Sequence, residues 1–321
     1  MSLYLAPMQG LVDPIMRDLL TRIGGIDVCT TEFLRITDQC HSAKSIQRLA
    51  PELWHDAKTI AGTPVVLQLL GSDVSRMAEN ALLGAQLGAK TIDLNFGCPA
   101  PTVNRHGGGA ALLKEPERIF DIVSAVRKAL PRTVALTSKM RLGYDNTDLA
   151  LDCARAMSNG GASRITVHAR TKQQGYTPPA HWDWIPKIQA AVTVPIIANG
   201  EVWTVEDYIA ICAETGCNDV MIGRGLVSAP DLAWRIQQYV ATGQICAITP
   251  WARVLVWLAD FFGLAMALQN QGSSGQQNQY AVARLKQWLK MLMRTYAEAK
   301  ILFDLIRSLT KAETILPYLK C

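Results

Sequence analysis

The sequence predicts an α/β fold, a (β/α)8 TIM barrel followed by a small C-terminal all-α helical domain. The first observation behind this prediction is a set of short apolar runs, rich in β-branched residues and separated by helix-length segments over about 235 residues. The second is the position of polar residues at or just after the ends of those runs, where barrel enzymes build their sites. A doubly wound open sheet is the alternative, because periodicity alone does not distinguish the two folds.

The predicted strands are continuous apolar runs, which suit strands buried on both faces of a parallel sheet. In chain order they are Leu3–Met8, Asp27–Glu32, Pro64–Leu70, Thr91–Asn95, Val134–Met140, Arg164–His168, Pro195–Ala198 and Asp219–Ile222. The clearest helices carry apolar residues at three- and four-residue spacing, and they are Val74–Leu87, Pro116–Leu130 and Val205–Thr215. The polar residues that close the strands are Gln68, Asn95, Lys139, His168, Asn199 and Arg224. We expect these side chains to meet at one rim of the barrel.

The C-terminal part of the sequence has a different pattern. After about Thr249 the strand-like runs stop, and helix-length segments follow, interrupted by the loop-like stretch Gln269–Gln279. In Ala281–Tyr296, one face is apolar and one flank is basic. The apolar face consists of Val282, Leu285, Leu289 and Leu292, and the basic flank of Lys286, Lys290 and Arg294. The sequence therefore predicts a barrel domain over residues 1–244 and a helical domain over residues 245–321.

The composition is that of a globular protein, with 49% hydrophobic residues, 18% charged residues and a net charge of +5. A charge this small neither requires nor excludes a nucleic-acid partner. The eight cysteines form no CxxC pair, so we expect reduced thiols and no metal site. The N-terminal apolar stretch is too short for a signal peptide, and Val254–Leu268 is too short to span a membrane. We expect a cytoplasmic protein without a membrane anchor.

Two glycine-containing turns follow the last two predicted strands. They are Asn199-Gly200-Glu201 and Gly223-Arg224-Gly225. Glycine lets backbone N–H groups approach a phosphate closely, and an arginine adds a charge-assisted hydrogen bond. One such turn often does no more than lead the chain out of a strand. Two on consecutive strands, at the place where many barrels bind phosphate, favour a phosphate-bearing ligand.

Three further rim residues have the chemistry that a flavin ring requires. A flavin needs hydrogen-bond donors at its pyrimidine edge and a positive charge near N1. Gln68 and Lys139 suit these roles, and His168 offers another polar contact. Each residue taken alone is more often a structural polar group. Their predicted convergence on one rim is therefore what indicates a flavin site.

Cys98 lies in the segment Asn95-Phe96-Gly97-Cys98-Pro99, which ends the fourth predicted strand. A cysteine at such a place can be a buried packing residue, a nucleophile or a general acid. A nucleophile needs a lowered pKa and a partner base, for which His106 is the nearby candidate. A general acid instead needs a thiol that keeps its proton, and a thiol with an ordinary pKa near 8.5 is protonated at neutral pH. The residues alone leave these alternatives open.

Several motifs, in this order, resemble those of the tRNA-dihydrouridine synthase family. They are Ala6-Pro7-Met8-Gln9-Gly10-Leu11-Val12-Asp13, Asn95-Phe96-Gly97-Cys98-Pro99, Lys139-Met140-Arg141-Leu142-Gly143, His168-Ala169-Arg170-Thr171, Ile197-Ala198-Asn199-Gly200-Glu201 and Gly223-Arg224-Gly225. Within the family, Thr31–Arg35 and Ala283–Leu289 are most similar to the bacterial subgroup that acts at position 16. Two departures are Ala169, where a glycine is usual, and Glu201, where many relatives carry aspartate.

The resemblance implies an FMN-binding barrel, a helical tRNA-binding domain, NADPH as reductant and reduction of the uracil C5=C6 bond. It implies that the cofactor is bound by Pro7, Met8, Gln68, Lys139, His168, Asn199, Gly200, Glu201, Gly223 and Arg224. It implies that hydride reaches C6 from flavin N5 and that Cys98 protonates C5. The implied contacts to uracil or tRNA are Arg35, Asn95, Arg141, Tyr176, Arg284 and Lys286. We expect a monomer with no metal.

Two other functions are compatible with the same residues. One is an FMN barrel oxidoreductase that acts on a small molecule, such as a dihydroorotate dehydrogenase-like or ene-reductase-like enzyme. That enzyme would not need a basic helical domain. The other is a non-catalytic RNA-binding relative, which would bind no flavin.

Overall fold

The computed structural model describes residues 1–269 and 277–319 of the chain. These residues divide into two compact units. The barrel unit comprises Met1–Gln9, Ile26–Val202 and Glu206–Gly223. The helical unit comprises Gly10–Gly25, Trp203–Val205 and Arg224–Cys321, within which 270–276 and 320–321 lie outside the described residues.

The barrel unit is built on parallel strands. Within the described residues these are β1 (Ser2–Leu5), β2 (Val28–Thr30), β3 (Leu34–Arg35), β4 (Val65–Leu70), β5 (Thr91–Phe96), β6 (Ala135–Arg141), β7 (Ile165–His168), β8 (Ile196–Asn199) and β9 (Asp219–Ile222). The sheet order is β2-β1-β9-β8-β7-β6-β5-β4-β3, and β2 also pairs with β4. The sheet therefore closes into an eight-stranded parallel barrel, with the two-residue β3 as an extra strand beside β4. The predicted barrel is confirmed, and the open sheet is wrong.

Each predicted strand corresponds to one barrel strand, with small differences at the ends. The first strand was expected to reach Met8 but ends at Leu5. Ala6 still donates its N–H to the Ile222 carbonyl at 2.9 Å, whereas Pro7 has no N–H to donate. The strands are mostly apolar, and side chains such as Leu67, Ile92 and Leu94 are fully buried. This burial on both faces explains why the strands appear in the sequence as continuous apolar runs.

Helices separate most of the successive strands along the chain. In chain order they are α1 (Pro14–Ile23), α2 (Ala43–Leu49), α3 (Val74–Gln86), α4 (Pro101–Asn104), α5 (Pro116–Ala129), α6 (Ala150–Asn159), α7 (Trp184–Ala191), α8 (Val205–Thr215), α9 (Arg224–Ser228), α10 (Leu232–Thr242), α11 (Trp251–Gln269), α12 (Gln277–Leu292), α13 (Ala297–Ile306) and α14 (Ala312–Ile315). Short 3-10 segments cover Pro51–His55, Gly109–Lys114 and Leu316–Leu319. The three helices predicted between strands are confirmed as α3, α5 and α8. Local chemistry sets the start of α3, since Asp73 caps this helix by accepting from Arg76 N at 2.8 Å.

The helical unit has its own apolar core. The predicted apolar face of α12 is confirmed, because Val282, Leu285, Leu289 and Leu292 are all buried. Phe261 of α11 meets Trp288 of α12 edge-on, with ring centroids 5.0 Å apart. The predicted loop Gln269–Gln279 falls mainly on residues 270–276, which lie outside the described residues.

The helical unit also contains α1, α9 and α10, which precede residue 245. The division of the chain at residue 244 into catalytic and tRNA-binding parts therefore stays a prediction about function. Within residues 1–269 and 277–319, no helix is long and apolar enough to cross a membrane. No disulfide joins the cysteines of these residues, and Cys321 lies outside them.

Candidate active site

Polar side chains from neighbouring strands meet at the C-terminal end of the barrel. The strand register pairs Asn95 with Lys139, Arg141 with His168, and His168 with Asn199. Arg141, His168 and Asn199 end β6, β7 and β8, while Asn95 lies one residue before the end of β5 and Lys139 two residues before the end of β6. Gln68 differs, because the register pairs it with Asp93, two residues before Asn95, and it is fully buried. The predicted rim is therefore present, with Gln68 in the barrel interior below it.

Cys98 lies two residues after β5, and only 9% of its surface is exposed. Its side chain packs with Leu70 and Val103, with Phe33 and Ala100 against the same cluster. Burial raises the pKa of the Cys98 thiol, and this effect outweighs the opposing effects of a backbone hydrogen bond and two arginines. The expectation of an ordinary thiol pKa was thus too low. At neutral pH the thiol carries its proton.

The backbone around Cys98 is held from several sides. The Gly97 N–H donates to Asn95 Oδ1 at 2.9 Å, and Arg141 Nε donates to the Gly97 carbonyl at 2.9 Å. The Cys98 carbonyl accepts from Ala110 N at 3.1 Å and from Asn104 Nδ2 at 2.9 Å. The position of the thiol is thus fixed by main-chain contacts rather than by a partner base. His106, the candidate base, is exposed, and its Nδ1 lies 2.9 Å from the Thr102 carbonyl.

Lys139 is a buried cation at the end of β6. Its ammonium donates to Asn199 Oδ1 at 2.9 Å, and Asn199 in turn donates through Nδ2 to the Met221 carbonyl at 2.7 Å. Burial is the main effect that lowers the pKa of Lys139 to about 7, and the nearby charge of Arg141 adds to it. Asp93 acts in the opposite direction. A negatively charged ligand beside Lys139 would favour the protonated form.

The turn after β8 places a glycine against His168. Gly200 has φ +128°, and a Cβ there would lie 3.2 Å from His168 Cδ2. Glu201 has a positive φ of 62°, and its carboxylate pairs with the fully buried Arg170. Arg170 also donates to the Thr177 carbonyl at 2.8 Å. The Glu201 side chain is thus engaged with the protein.

Pro7 and Met8 follow β1, and both are half-buried. A Cβ on Gly223 would lie 3.3 Å from the Met8 sulfur, so the glycine after β9 lets the Met8 side chain approach. Arg224 belongs to the helical unit, where its guanidinium lies 4.8 Å from the centre of the Trp203 ring. Arg294 contacts the same ring at 3.7 Å.

The residues expected to contact uracil or tRNA have different environments. Tyr176 is half-exposed, with its ring centre 5.9 Å from that of His168 and 5.2 Å from Arg141 Cζ. Arg35 is partly exposed, and its Nη2 lies 3.3 Å from the Thr102 carbonyl. Arg141 is buried and donates to the carbonyls of Thr171 and Gly175. Tyr176 and Arg35 are therefore accessible from solvent, whereas Arg141 holds loops.

Arg284 and Lys286 have internal partners in the helical unit. Arg284 is buried, pairs with Asp13 at 2.9 Å and donates to the carbonyls of Gly10 and Leu11. Lys286 donates to the carbonyls of Arg307 and Leu309, just after α13. The contacts of both side chains are structural, so the expectation that they bind tRNA stays a prediction without support from these contacts.

Two polar residues in the barrel, Asp93 and Arg170, were given no role on the basis of the sequence. Asp93 accepts from Gln68 Nε2 at 2.7 Å and from Thr137 Oγ1 at 2.6 Å, and Gln68 also accepts from Asn95 Nδ2 at 2.8 Å. Arg170 pairs with Glu201. A charged residue inside an apolar strand, two positions before Asn95, was the available signal for Asp93. Within the described ranges, no group of three or more His, Cys, Asp or Glu side chains could hold a metal ion.

Comparison with known proteins identifies the family. The family model described as "Dihydrouridine synthase (Dus)" matches residues 4–316. The chain belongs to the dihydrouridine synthase family. The predicted resemblance is confirmed.

Several relatives of this dihydrouridine synthase are similar along nearly their whole length. A Neisseria meningitidis serogroup A protein named tRNA-dihydrouridine(16) synthase is 52% identical over 313 residues, 98% of this chain and 92% of the relative. A protein of the same name from Pseudomonas syringae pv. tomato is 50% identical over 321 residues, covering 100% and 99%. The solved structure of histamine dehydrogenase from Rhizobium sp. 4-9 has a TM-score of 0.56 at 14% identity, covering 82% of this chain and 48% of that one. This last likeness concerns the barrel fold alone.

Proposed function

We propose that this dihydrouridine synthase reduces uridine 16 of tRNA to 5,6-dihydrouridine, with FMN as cofactor and NADPH as electron donor. The observation that carries the proposal is the identity of about 50% with proteins named tRNA-dihydrouridine(16) synthase, over 98–100% of this chain. Site geometry supports it, because the protonated thiol of Cys98 follows β5 and the buried amine of Lys139 lies on the neighbouring strand β6.

The residues at the rim fit a flavin. The donor set includes the buried Lys139 ammonium, which suits a ring that needs a positive charge near N1. We assign the ring to Pro7, Met8, Gln68, Lys139 and His168, and the ribityl phosphate to Asn199, Gly200, Glu201, Gly223 and Arg224. When bound, FMN that NADPH has reduced supplies the hydride that adds to uracil C6.

Cys98 supplies the proton in this proposal. As hydride reaches C6, negative charge develops toward C5, and a neutral thiol lowers the energy of that charge. The S–H bond breaks as the C5–H bond forms, and the thiolate then takes a proton from solvent. The raised pKa of Cys98 supports this role, because the thiol holds its proton until the uracil requires it. The backbone contacts of Gly97 and Cys98 keep the sulfur in place.

The substrate must leave the tRNA stack to reach a barrel rim. We assign contacts with uracil or its neighbours to Asn95, Arg141 and Tyr176, and a contact with the tRNA backbone to Arg35. Tyr176 is the best placed of these to stack on a base, because its ring is half-exposed and lies beside Arg141. We assign tRNA backbone binding to residues 245–321, and we propose a cytoplasmic monomer.

The decisive experiment is single-turnover reduction of an unmodified tRNA transcript by the FMN-loaded protein with NADPH. Dihydrouridine is mapped at single-nucleotide resolution, and a transcript with cytidine at position 16 is the matched substrate control. We expect product at position 16 and none with the cytidine transcript. Product at another position would refute the site assignment, and no product at all would refute the activity.

A cysteine pair separates the proposed acid from a merely buried thiol. Cys98→Ala should keep NADPH-dependent reduction of the bound flavin and lose dihydrouridine formation. Cys153→Ala is the control, because Cys153 is also a buried cysteine whose pKa burial raises, to about 12. The control variant should form dihydrouridine at the normal rate. An active Cys98→Ala protein would exclude Cys98 as the acid.

A further inference from the structure

A chain of hydrogen bonds connects a buried carboxylate to the backbone beside Cys98. Gln68 Nε2 donates to Asp93 Oδ2 at 2.7 Å, and Asn95 Nδ2 donates to Gln68 Oε1 at 2.8 Å. The Gly97 N–H then donates to Asn95 Oδ1 at 2.9 Å. Asp93 and Asn95 are two residues apart on β5, so both side chains point to the same face of the strand. Four consecutive partners therefore lead from Asp93 to the residue before Cys98.

The carboxylate sets the direction of this chain. An amide side chain can turn over and exchange its donor and acceptor ends, whereas an ionised carboxylate only accepts. Because Asp93 accepts from Gln68, the amide oxygen of Gln68 must face Asn95. Asn95 must then use its NH2 group toward Gln68, which leaves its oxygen for the Gly97 N–H. If both amides turned over, the NH2 of Asn95 would face that N–H, donor against donor.

Packing alone does not explain the buried carboxylate of Asp93. Only 5% of its surface is exposed, and Gln68 is fully buried. Burial raises the pKa of Asp93, while the hydrogen bonds from Thr137 and Gln68 and the charge of Lys139 act in the opposite direction. A carboxylate in a barrel interior is costly, and an apolar side chain would fill the space at lower cost. What the carboxylate adds is the fixed orientation of two amides.

We propose that Asp93 is a positioning residue for uridine reduction, which fixes Gln68 and Asn95 and, through Gly97, the place of Cys98. The inference rests on the proposed function, because the rate that Asp93 sets is that of dihydrouridine formation. Asp93 itself acts through other residues and donates no proton to the uracil.

The test compares two replacements of Asp93 in the FMN-loaded full-length protein. Asp93→Ala removes the anchor, and kcat for dihydrouridine formation should fall about 10- to 100-fold, the range found for residues that orient a metal ligand through a hydrogen bond. KM for tRNA should stay within about twofold, because Asp93 is buried and does not touch the tRNA surface. Asp93→Asn should retain most of kcat. Its Oδ1 can still accept from Gln68 while its NH2 group donates to the Thr137 hydroxyl, which accepts as well as donates. The Gly97 N–H, which can only donate, opposes the reversed arrangement of the amides.

A second readout does not depend on activity. Cys98 is held with little exposure, so its alkylation by iodoacetamide, followed on the Cys98 peptide by mass spectrometry, reports how firmly the loop is fixed. Alkylation should become several-fold faster in Asp93→Ala and stay near the wild-type rate in Asp93→Asn. Thr137→Val is the matched control. It removes the other donor to Asp93 but leaves the Gln68 bond, and it should change neither kcat nor alkylation.

The outcomes separate this inference from the proposed function. A wild-type protein that forms no dihydrouridine contradicts the proposed function, and the alkylation rates then decide about Asp93. An Asp93→Ala protein that matches the wild type in both readouts overturns the positioning role. An Asp93→Asn protein as impaired as Asp93→Ala also overturns the positioning role, because the charge of Asp93 would then matter rather than the orientation of the Gln68 and Asn95 amides. If Asp93→Ala does not fold, Gln68→Met breaks the same chain one link later. Because Gln68 is also assigned to the flavin, the deciding readout is then the alkylation of Cys98 in the flavin-free proteins, which must be several-fold faster in Gln68→Met than in the wild type.

Discussion

Cys98 leaves no room for a side chain at Gly109, and replacing Gly109 tests how precisely the thiol must be placed. Gly109 has φ +60°, and a Cβ there would lie 2.8 Å from the Cys98 carbonyl oxygen and 3.1 Å from Cys98 Cβ. Both distances are shorter than the ordinary contact, which begins at 3.4 Å. The change Gly109→Ala must therefore displace Cys98, Gly109 or both by roughly half an ångström.

The matched control is Gly107→Ala in the same loop. Gly107 has a similar φ of +70°, but the nearest atom to its added Cβ is Ser72 Oγ at 3.9 Å, an ordinary contact. Alanine with a positive φ costs about 1–2 kcal/mol of stability at either position. Only Gly109→Ala adds a collision with Cys98. The two variants thus share the backbone strain and differ in the displacement of the thiol.

The expected difference between the variants follows from that displacement. A misplacement of 1 Å at a reacting group costs on the order of a hundredfold in rate, so half of that corresponds to about tenfold. Single-turnover dihydrouridine formation, measured well below the melting temperature, should be about tenfold slower in Gly109→Ala than in Gly107→Ala. Equal rates in the two folded variants would refute the reasoning that the main-chain position of Cys98 sets the rate.

Two further predictions concern buried and exposed lysines. The folded pKa of Lys139, about 7, lies below its unfolded value near 10.4, so the wild type gains stability as pH rises between them and Lys139→Met does not. The unfolding free energies of the flavin-free proteins are measured by urea titration. The value for Lys139→Met minus that for the wild type should fall by about 2.5 kcal/mol from pH 6 to pH 9. A difference that does not change with pH would contradict the lowered pKa of Lys139. Lys286→Met should lower the unfolding free energy by about 1–2 kcal/mol, because it removes donors from the Arg307 and Leu309 carbonyls. Lys290 is exposed, so Lys290→Ala should change the unfolding free energy by less than about 0.5 kcal/mol and reduce the slope of log K for tRNA binding against log[salt] by about 1. A reduced slope in Lys286→Met but not in Lys290→Ala would make Lys286 the tRNA contact.

The barrel was predictable because its determinants are local and repeated. Continuous apolar runs identified the strands, and spacing of three and four identified helices such as α3 and α5. What local patterns did not contain was closure of the sheet, which depends on pairing between β1 and β9, more than 200 residues apart in the chain. The end of the first strand before Pro7 could have been predicted, because proline cannot continue a ladder of hydrogen bonds.

The convergence of strand-end side chains was predictable from the sequence, and their hydrogen-bond partners were less so. Residues at strand ends were expected to converge, and the register of β5 to β8 brings Asn95, Lys139, His168 and Asn199 to one end. Which of the arginines and lysines lie on the surface could not be deduced, because it depends on partners far along the chain. Arg284 appears as a basic helix residue in sequence, yet it pairs with Asp13, 271 positions away. Periodicity shows which face of a helix is apolar, but not which charged side chain has a buried partner.

The choice between nucleophile and acid for Cys98 depends on the same distinction between local and distant partners. The sequence supplies a histidine eight positions later, which made a thiol–imidazole pair conceivable. In the structure, that His106 is exposed and directs Nδ1 to the Thr102 carbonyl, while Cys98 is enclosed by Leu70 and Val103. An apolar enclosure raises the pKa of the thiol, and Arg141 and Arg35 are not effective enough to reverse this. A nucleophile would need the opposite balance. The enclosure therefore favours a thiol that keeps its proton until carbanion character develops nearby, which is the behaviour of a general acid.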